Sequence, residues 1–74
     1  MNKETRKRFG RILRKFRDRK GYTQDEFAHH IGAGRAYYGR IERGEINFGF
    51  DKIEAIIKGL ETKWSTFFKY MDGK

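Results

Sequence analysis

The chain of 74 residues is long enough for one small domain, and a domain of this size buries only about 60% of the surface that its unfolded chain exposes. It contains no cysteine, which excludes a disulfide framework and a thiolate zinc site and suits a reducing compartment. No apolar run approaches the ~18 residues that would span a membrane, and the N-terminus lacks the apolar segment of a secretory signal, so we expect a cytoplasmic protein.

The formal net charge of +8 is concentrated at one end of the chain. Residues 1–20 hold ten Lys and Arg against Glu4 and Asp18, whereas the basic and acidic residues of 21–74 balance. A cluster of this kind attracts polyanions, because binding releases the counterions condensed on a phosphate backbone. The alternative is a helix face that charge merely keeps in solution. Ten clustered cations favour nucleic acid as the partner.

The spacing of Phe9, Ile12, Leu13 and Phe16 predicts a first amphipathic helix from about Thr5 to Lys20, with the basic residues on its other side. A second helix of about two turns is predicted to begin after Thr23. Thr23 and Glu26 have the spacing of a capping box, and Tyr22 and Phe27 that of a hydrophobic staple. Gly32 can adopt the left-handed conformation that ends a helix.

A tight connection at Gly32–Gly34 leads to a predicted third helix from Arg35 to Arg43, which Gly44 ends and whose Tyr38 and Ile41 face inward. Two short helices joined by such a turn form a helix-turn-helix, here about residues 23–43. A fourth helix is predicted from about Phe50 to Leu60, and a short aromatic helix containing Trp64, Phe67 and Phe68 closes the core. The predicted fold is therefore all-α, with five helices in a single domain spanning 1–74.

The segment GYTQDEFAHHIGAGRAYYGRIERG, residues 21–44, resembles the helix-turn-helix of the Cro/CI repressor-like (XRE) family, and the wider likeness covers about residues 9–70. The resemblance implies a compact, lambda-repressor-like domain that binds double-stranded operator DNA, commonly as a homodimer and without a cofactor. Restriction-modification controller proteins and small phage repressors share this outline. The chain departs from the family pattern at three positions of the turn and third helix: Ala33, Gly34 and Tyr38.

The outer face of the third helix carries the residues predicted to contact bases. An arginine can donate two hydrogen bonds to guanine, so Arg35 and Arg40 are the leading base readers, unless they only hold phosphates. Ala36 can touch a thymine methyl group, and Gly39 can allow close approach of the backbone, although both can also be small residues that the helix tolerates. The resemblance implies a further DNA contact at Gly34, where family members usually have the hydroxyl of Ser or Thr and this chain has none.

Phosphate contacts are predicted around this face. The N-terminus of the second helix offers free backbone N–H groups, so Gln24 would extend an amide donor to a phosphate, while Thr23 primarily caps the helix. Tyr37 and Arg43 are placed to bond flanking phosphates, although Tyr37 could equally be half-buried against the second helix. By resemblance, Arg17 and Glu42 form an ion pair between the first and third helices.

The aromatic surplus near the end of the chain exceeds what one short helix can bury, which predicts a dimer interface; membership of the core explains Trp64 and one Phe equally well. The predicted interface residues are Trp64, Phe67, Phe68, Tyr70 and Met71.

Other functional classes are disfavoured. His29 and His30 are adjacent on a helix and point about 100° apart, so they do not form a metal site. No phosphate-loop motif or carboxylate pair supports catalysis, and we expect neither an enzyme nor a metal or cofactor. Two alternatives stay open. One is a protein-interaction module, such as an antitoxin or bridging factor, with weak DNA affinity. The other is an RNA- or membrane-binding segment in the basic first helix.

Overall fold

The computed structural model describes residues 1–72 and contains five α-helices: α1 (Lys3–Lys20), α2 (Gln24–His30), α3 (Arg35–Glu42), α4 (Phe50–Gly59) and α5 (Trp64–Lys69). A 3-10 turn, Tyr70–Asp72, follows α5. No strand occurs within residues 1–72, so the predicted all-α fold with five helices is confirmed.

The helix starts follow from local side-chain chemistry. Thr23 precedes α2, and its hydroxyl accepts from the backbone N–H of Glu26 at 3.1 Å, while the Glu26 carboxylate accepts from the N–H of Thr23 at 2.9 Å. The rings of Tyr22 and Phe27 pack 5.4 Å apart across this start. The predicted capping box and staple are therefore confirmed. Helix α1 begins earlier than predicted because Asn2 caps it by accepting from the N–H of Thr5 at 2.8 Å.

Glycines end α2 and α3 as the sequence predicts. Gly32 and Gly44 have φ values of 72° and 71°, the left-handed region that side chains other than glycine seldom occupy. Helices α3 and α4 each end one residue earlier than predicted, because Arg43 caps α3 and Leu60 caps α4 instead of lying inside them.

The core forms where all five helices contribute apolar side chains. Its fully buried members include Phe9 and Leu13 of α1, Phe27 of α2, Tyr38 of α3 and Phe67 of α5, and Ile53, Ile56 and Ile57 complete it from α4. Aromatic rings dominate one side, where Phe9 lies 5.1 Å from the ring of Phe67. This core fixes α3 against α1 and α2 and determines which of its faces remains exposed.

Helices α1 and α3 cross at Gly10 of α1, a position where α1 cannot carry a side chain. A Cβ atom built on Gly10 would lie 2.7 Å from the carbonyl carbon of Glu42 and 3.0 Å from the carbonyl oxygen of Ile41. The missing side chain of Gly10 thus lets the two backbones pack in direct contact.

None of the helices within residues 1–72 combines the length and apolar character needed to cross a membrane.

Candidate DNA interface

Helix α3 has two distinct faces. Tyr38 and Ile41 are buried, as predicted, and their burial turns the opposite side outward. The side chains exposed there are Arg35, Ala36, Arg40 and Arg43. The α2–α3 connection is held by a 2.8 Å hydrogen bond from the N–H of Ala33 to the carbonyl of Ala28. This bond fixes the turn that leads into α3, whose arginine side chains remain exposed.

A shallow cavity of about 320 Å³ lies on this face. Six of the nine residues predicted to contact DNA line it: Gln24, Arg35, Ala36, Gly39, Arg40 and Arg43. Its floor is small and uncharged because Ala36 and Gly39 carry almost no side chain, whereas its rim carries three guanidinium groups. Such a surface suits a ligand that presents a partly apolar edge to the floor and negative charges to the rim.

Gly39 is buried, although it belongs to the outward part of α3. A Cβ atom at this position would lie 3.0 Å from Nη1 of Arg43 and 3.8 Å from Oε1 of Gln24. The space left by its missing side chain is therefore taken by Arg43 in this structure. A close approach of another molecule to the Gly39 backbone would require that side chain to move.

Each arginine of the rim faces a carboxylate. Nε of Arg43 donates to Oε2 of Glu45 at 2.9 Å, and its Nη2 donates to Oε1 at 3.3 Å. Nε of Arg40 lies 3.8 Å from the same carboxylate, and Nε of Arg35 forms an ion pair with Asp25. The hydrogen bond from Arg43 lowers the pKa of Glu45, which therefore remains ionised at neutral pH.

The side-chain amide of Gln24 is oriented by a hydrogen bond to Glu42. Its Nε2 donates to Oε1 of Glu42 at 2.9 Å, which uses one of its two N–H groups and leaves the other for a phosphate. Gln24 was predicted as a phosphate donor, and Glu42 is the residue that orients it.

Glu42 is the centre of a buried polar network. Nε and Nη2 of Arg17 donate to its two oxygens at 2.6 and 3.2 Å, and the hydroxyl of Tyr38 donates to Oε2 at 2.5 Å. The ion pair expected between Arg17 and Glu42 is therefore confirmed. Arg17 also donates to the carbonyl of Tyr22 at 2.7 Å. One carboxylate thus joins α1, α2 and α3.

The ionisation of this network follows from its contacts. Burial alone would raise the pKa of Glu42, but hydrogen bonds from Arg17, Tyr38 and Gln24 outweigh burial and hold that pKa below its ordinary value. Burial, with the hydrogen bond to Glu42, raises the pKa of Tyr38, so its hydroxyl stays a donor. Tyr38 departs from the family pattern, and the structure shows that its hydroxyl is fully used.

Three predicted DNA-contacting residues lie outside the cavity. Thr23 is exposed but is engaged as the cap of α2, and Gly34 is the exposed N-cap of α3, with no side-chain hydrogen bond. Tyr37 is half-buried against the core, and Nζ of Lys52 lies 5.7 Å from the centre of its ring.

The residues predicted to form a dimer interface divide into two groups. Phe67 is 0% exposed and belongs to the core, so it presents no surface to a partner. Trp64 and Tyr70 are each 42% exposed, and Phe68 and Met71 are half-buried beside them. Trp64 stacks on Phe68 with ring centroids 5.9 Å apart, whereas the ring of Tyr70 packs edge-on against Phe16 at 5.3 Å.

The basic residues of α1 serve more than one purpose. Arg6 donates to the carbonyl of Gly44 at 3.2 Å, Arg8 donates to the carbonyl of Met71 at 3.0 Å, and Arg17 is buried. The other seven remain exposed: Lys3, Lys7, Arg11, Arg14, Lys15, Arg19 and Lys20. Part of the charge that predicted a polyanion partner therefore ties α1 to the rest of the fold.

Sequence reasoning missed the two carboxylates beside the arginines. Glu45 lies two positions after Arg43, and Asp25 follows Gln24 in the first turn of α2. Their closeness along the chain to predicted DNA-contacting residues was the available signal. Only the fold, however, brings Asp25 to Arg35.

The sequence of this chain is similar to those of known helix-turn-helix proteins. A helix-turn-helix domain model matches residues 8–63. The control protein C.MunI of Mycoplasma sp is 39% identical over 62 residues, which cover 82% of this chain and 84% of that protein.

Solved structures agree with the sequence matches. A single-residue variant of the restriction-modification controller protein C.Esp1396I superposes with a TM-score of 0.89 at 29% identity, covering 99% of this chain and 92% of that one. The same controller as a tetramer with its natural 35 base-pair operator gives a TM-score of 0.84 at 30% identity, covering 93% and 91%. The controller C.AhdI from Aeromonas hydrophila gives 0.79 at 32% identity, covering 84% and 94%. The chain therefore belongs to the helix-turn-helix family of DNA-binding transcription regulators, in the Cro/CI-like (XRE) branch with the restriction-modification controller proteins.

Proposed function

We propose that this protein binds a pseudo-palindromic operator as a homodimer, with α3 of each protomer in the major groove of one half-site. The observation that carries the proposal is the exposed face of α3, where three arginines surround the small floor of the cavity. Two such helices would enter successive major grooves about 34 Å apart. The protein would act as a non-enzymatic regulator in the cytoplasm.

The outward residues divide by the chemistry they offer. Arg35 and Arg40 would read guanine through two hydrogen bonds each, and Ala36 would contact a thymine methyl group. Gly34 and Gly39 carry no side chain beyond hydrogen, so their contribution would be backbone approach, at Gly39 after Arg43 has moved.

Phosphates would position the helix. Gln24 uses one of its two amide N–H groups on Glu42, and Thr23 lies at the N-terminus of α2. Arg43 lines the cavity and Tyr37 lies outside it, so these four would bind the backbone on either side of the bases. The exposed cations of α1, such as Lys7, would add attraction independent of sequence.

The homodimer would form through the aromatic surface of Trp64, Phe68, Tyr70 and Met71. Two large side chains there are 42% exposed, whereas Phe9, Phe27 and Tyr38 are fully buried. The tetramer of C.Esp1396I on its operator supports assembly on DNA for a protein of this fold.

A binding experiment tests the proposal. Sites are first selected from random DNA duplexes, and dissociation constants are then measured by fluorescence anisotropy for the selected duplex and a scrambled one. Arg35→Ala and Arg40→Ala should each weaken the selected duplex by about ten- to a hundredfold, and the scrambled duplex much less. Lys7→Ala should weaken both equally and reduce the salt dependence. Equal losses on both duplexes for the α3 variants would refute base reading.

A further inference from the structure

The carboxylates of Asp25 and Glu45 stand among the residues proposed to bind DNA, although their charge repels phosphate. The Asp25 and Glu45 side chains are 60% and 47% exposed, and their partners Arg35 and Arg43 are 77% and 55% exposed. These arginines are therefore hydrated by water and do not need a carboxylate to compensate for burial. Exposed ion pairs of this kind contribute little to stability. Their position suggests a role in recognition.

The geometry of each pair leaves one edge of the guanidinium free. Glu45 occupies Nε and Nη2 of Arg43, along the side of the group, and Asp25 pairs with Nε of Arg35. The Nη1–Nη2 edge at the tip can donate two hydrogen bonds to O6 and N7 of guanine. Each carboxylate thus restrains an arginine from one side. It leaves Nη1 and, in Arg43, the second N–H of Nη2 for a base, with Nη1 of Arg43 lying over Gly39 on the cavity floor.

The same carboxylates change what the arginines attract. Binding to random DNA depends almost entirely on phosphate charge, and a guanidinium already paired with a carboxylate offers a phosphate less attraction. A guanine edge carries no net charge, so the carboxylate penalises that contact less. Pairing with a carboxylate therefore weakens the binding of an arginine to phosphates of unrelated DNA more than it weakens its hydrogen bonds to guanine.

We propose that Asp25 and Glu45 are specificity-determining residues, which orient Arg35 and Arg43 and suppress their binding to phosphates of unrelated DNA. This inference rests on the proposed function and assigns the outer edge of Arg43 to a base instead of a phosphate. Glu45 also lies 3.8 Å from Arg40 and so affects two of the three cations of the cavity.

The test compares Asp25→Asn and Glu45→Gln with Glu61→Gln. Glu61 is also exposed and pairs with Lys20 at 3.1 Å, away from the cavity, so this control removes the same charge from a comparable ion pair. Dissociation constants for the selected and scrambled duplexes are measured for each full-length variant at several salt concentrations. Folding of each variant is verified by circular dichroism.

Glu45→Gln should tighten binding to the scrambled duplex and lower the ratio of selected to scrambled affinity by about fivefold. Because a freed Arg43 gains one phosphate, the slope of log K against log salt on the scrambled duplex should steepen by about 1. Asp25→Asn should lower the ratio in the same way, whereas Glu61→Gln should leave it unchanged.

Two failures can be distinguished. If the unaltered protein does not prefer the selected duplex, the proposed function is wrong. If it does, and both test variants keep the ratio and salt slope of the Glu61→Gln control, the carboxylates have no part in specificity and the inference is overturned.

Discussion

Replacing Gly10 with alanine tests the claim that α1 and α3 pack backbone against backbone. The added Cβ would lie 2.7 Å from the carbonyl carbon of Glu42 and closer still to its oxygen, whereas ordinary van der Waals contact begins at 3.4 Å. Relieving the contact with the carbonyl carbon alone requires the helices to move apart by about 0.7 Å, and the nearer oxygen requires more. The obstacle is backbone inside a helix, so no side chain can rotate to relieve it.

Two opposing effects set the magnitude. Alanine inside a helix is favoured over glycine by about 0.5–1 kcal/mol. Overpacking in a close-packed interior costs about 1–3 kcal/mol, and the upper part of that range applies where backbone must shift. We therefore expect Gly10→Ala to lower the free energy of unfolding by about 2 kcal/mol and the melting temperature by about 8–16 °C.

Gly39→Ala is the matched control, because Gly39 also lies inside a helix. There the added Cβ meets only the tip of Arg43 at 3.0 Å, and that flexible side chain can move away. Helix propensity should then prevail and raise the free energy of unfolding by about 0.5 kcal/mol. Urea unfolding followed by circular dichroism measures both variants. A Gly10→Ala protein as stable as the unaltered chain would refute the packing argument.

Three further predictions concern the helix cap and the buried network. Thr23→Ala removes the acceptor of the Glu26 N–H and should cost about 1 kcal/mol in urea unfolding, while Thr23→Ser should retain most of the stability; equal stability of the two would contradict the cap. Tyr38→Phe removes one donor from the Glu42 carboxylate and should cost about 1–2 kcal/mol, visible as a lower urea midpoint; an unchanged midpoint would count against that hydrogen bond. The pKa of Glu42 is lowered in the folded protein, so its contribution is present above its ordinary value of 4.5 and is lost as pH falls through the folded value. Melting temperatures below about pH 5 should therefore fall more steeply for the unaltered protein than for Glu42→Gln, which should already be less stable at pH 7; parallel curves would exclude Glu42 as the titrating group.

The helices were predictable because their signals are local. The capping box at Thr23, the glycines that end α2 and α3, and the apolar spacing of α1 each act within a few residues. The start of α1 was predicted two residues late, because the Asn2 cap precedes the amphipathic pattern.

The contacts around the candidate interface were less predictable because they join different elements. The pairing of Asp25 with Arg35 depends on the angle between α2 and α3, which no spacing along the chain specifies. The complete burial of Phe67 likewise depends on which ring of α5 faces Phe9. The Arg17–Glu42 pair was expected only because the chain resembles a known family.

The separation of anchoring and outward residues on α3 has a consequence for how such a regulator diverges. Tyr38, Ile41 and Glu42 are buried and hold the helix in place, whereas Arg35, Ala36 and Arg40 are exposed. Under the proposed function, substitutions at the second set would change the preferred operator without unfolding the protein. A duplicated gene could therefore acquire a new target through a few solvent-facing changes, and an engineer could retarget this scaffold by the same route.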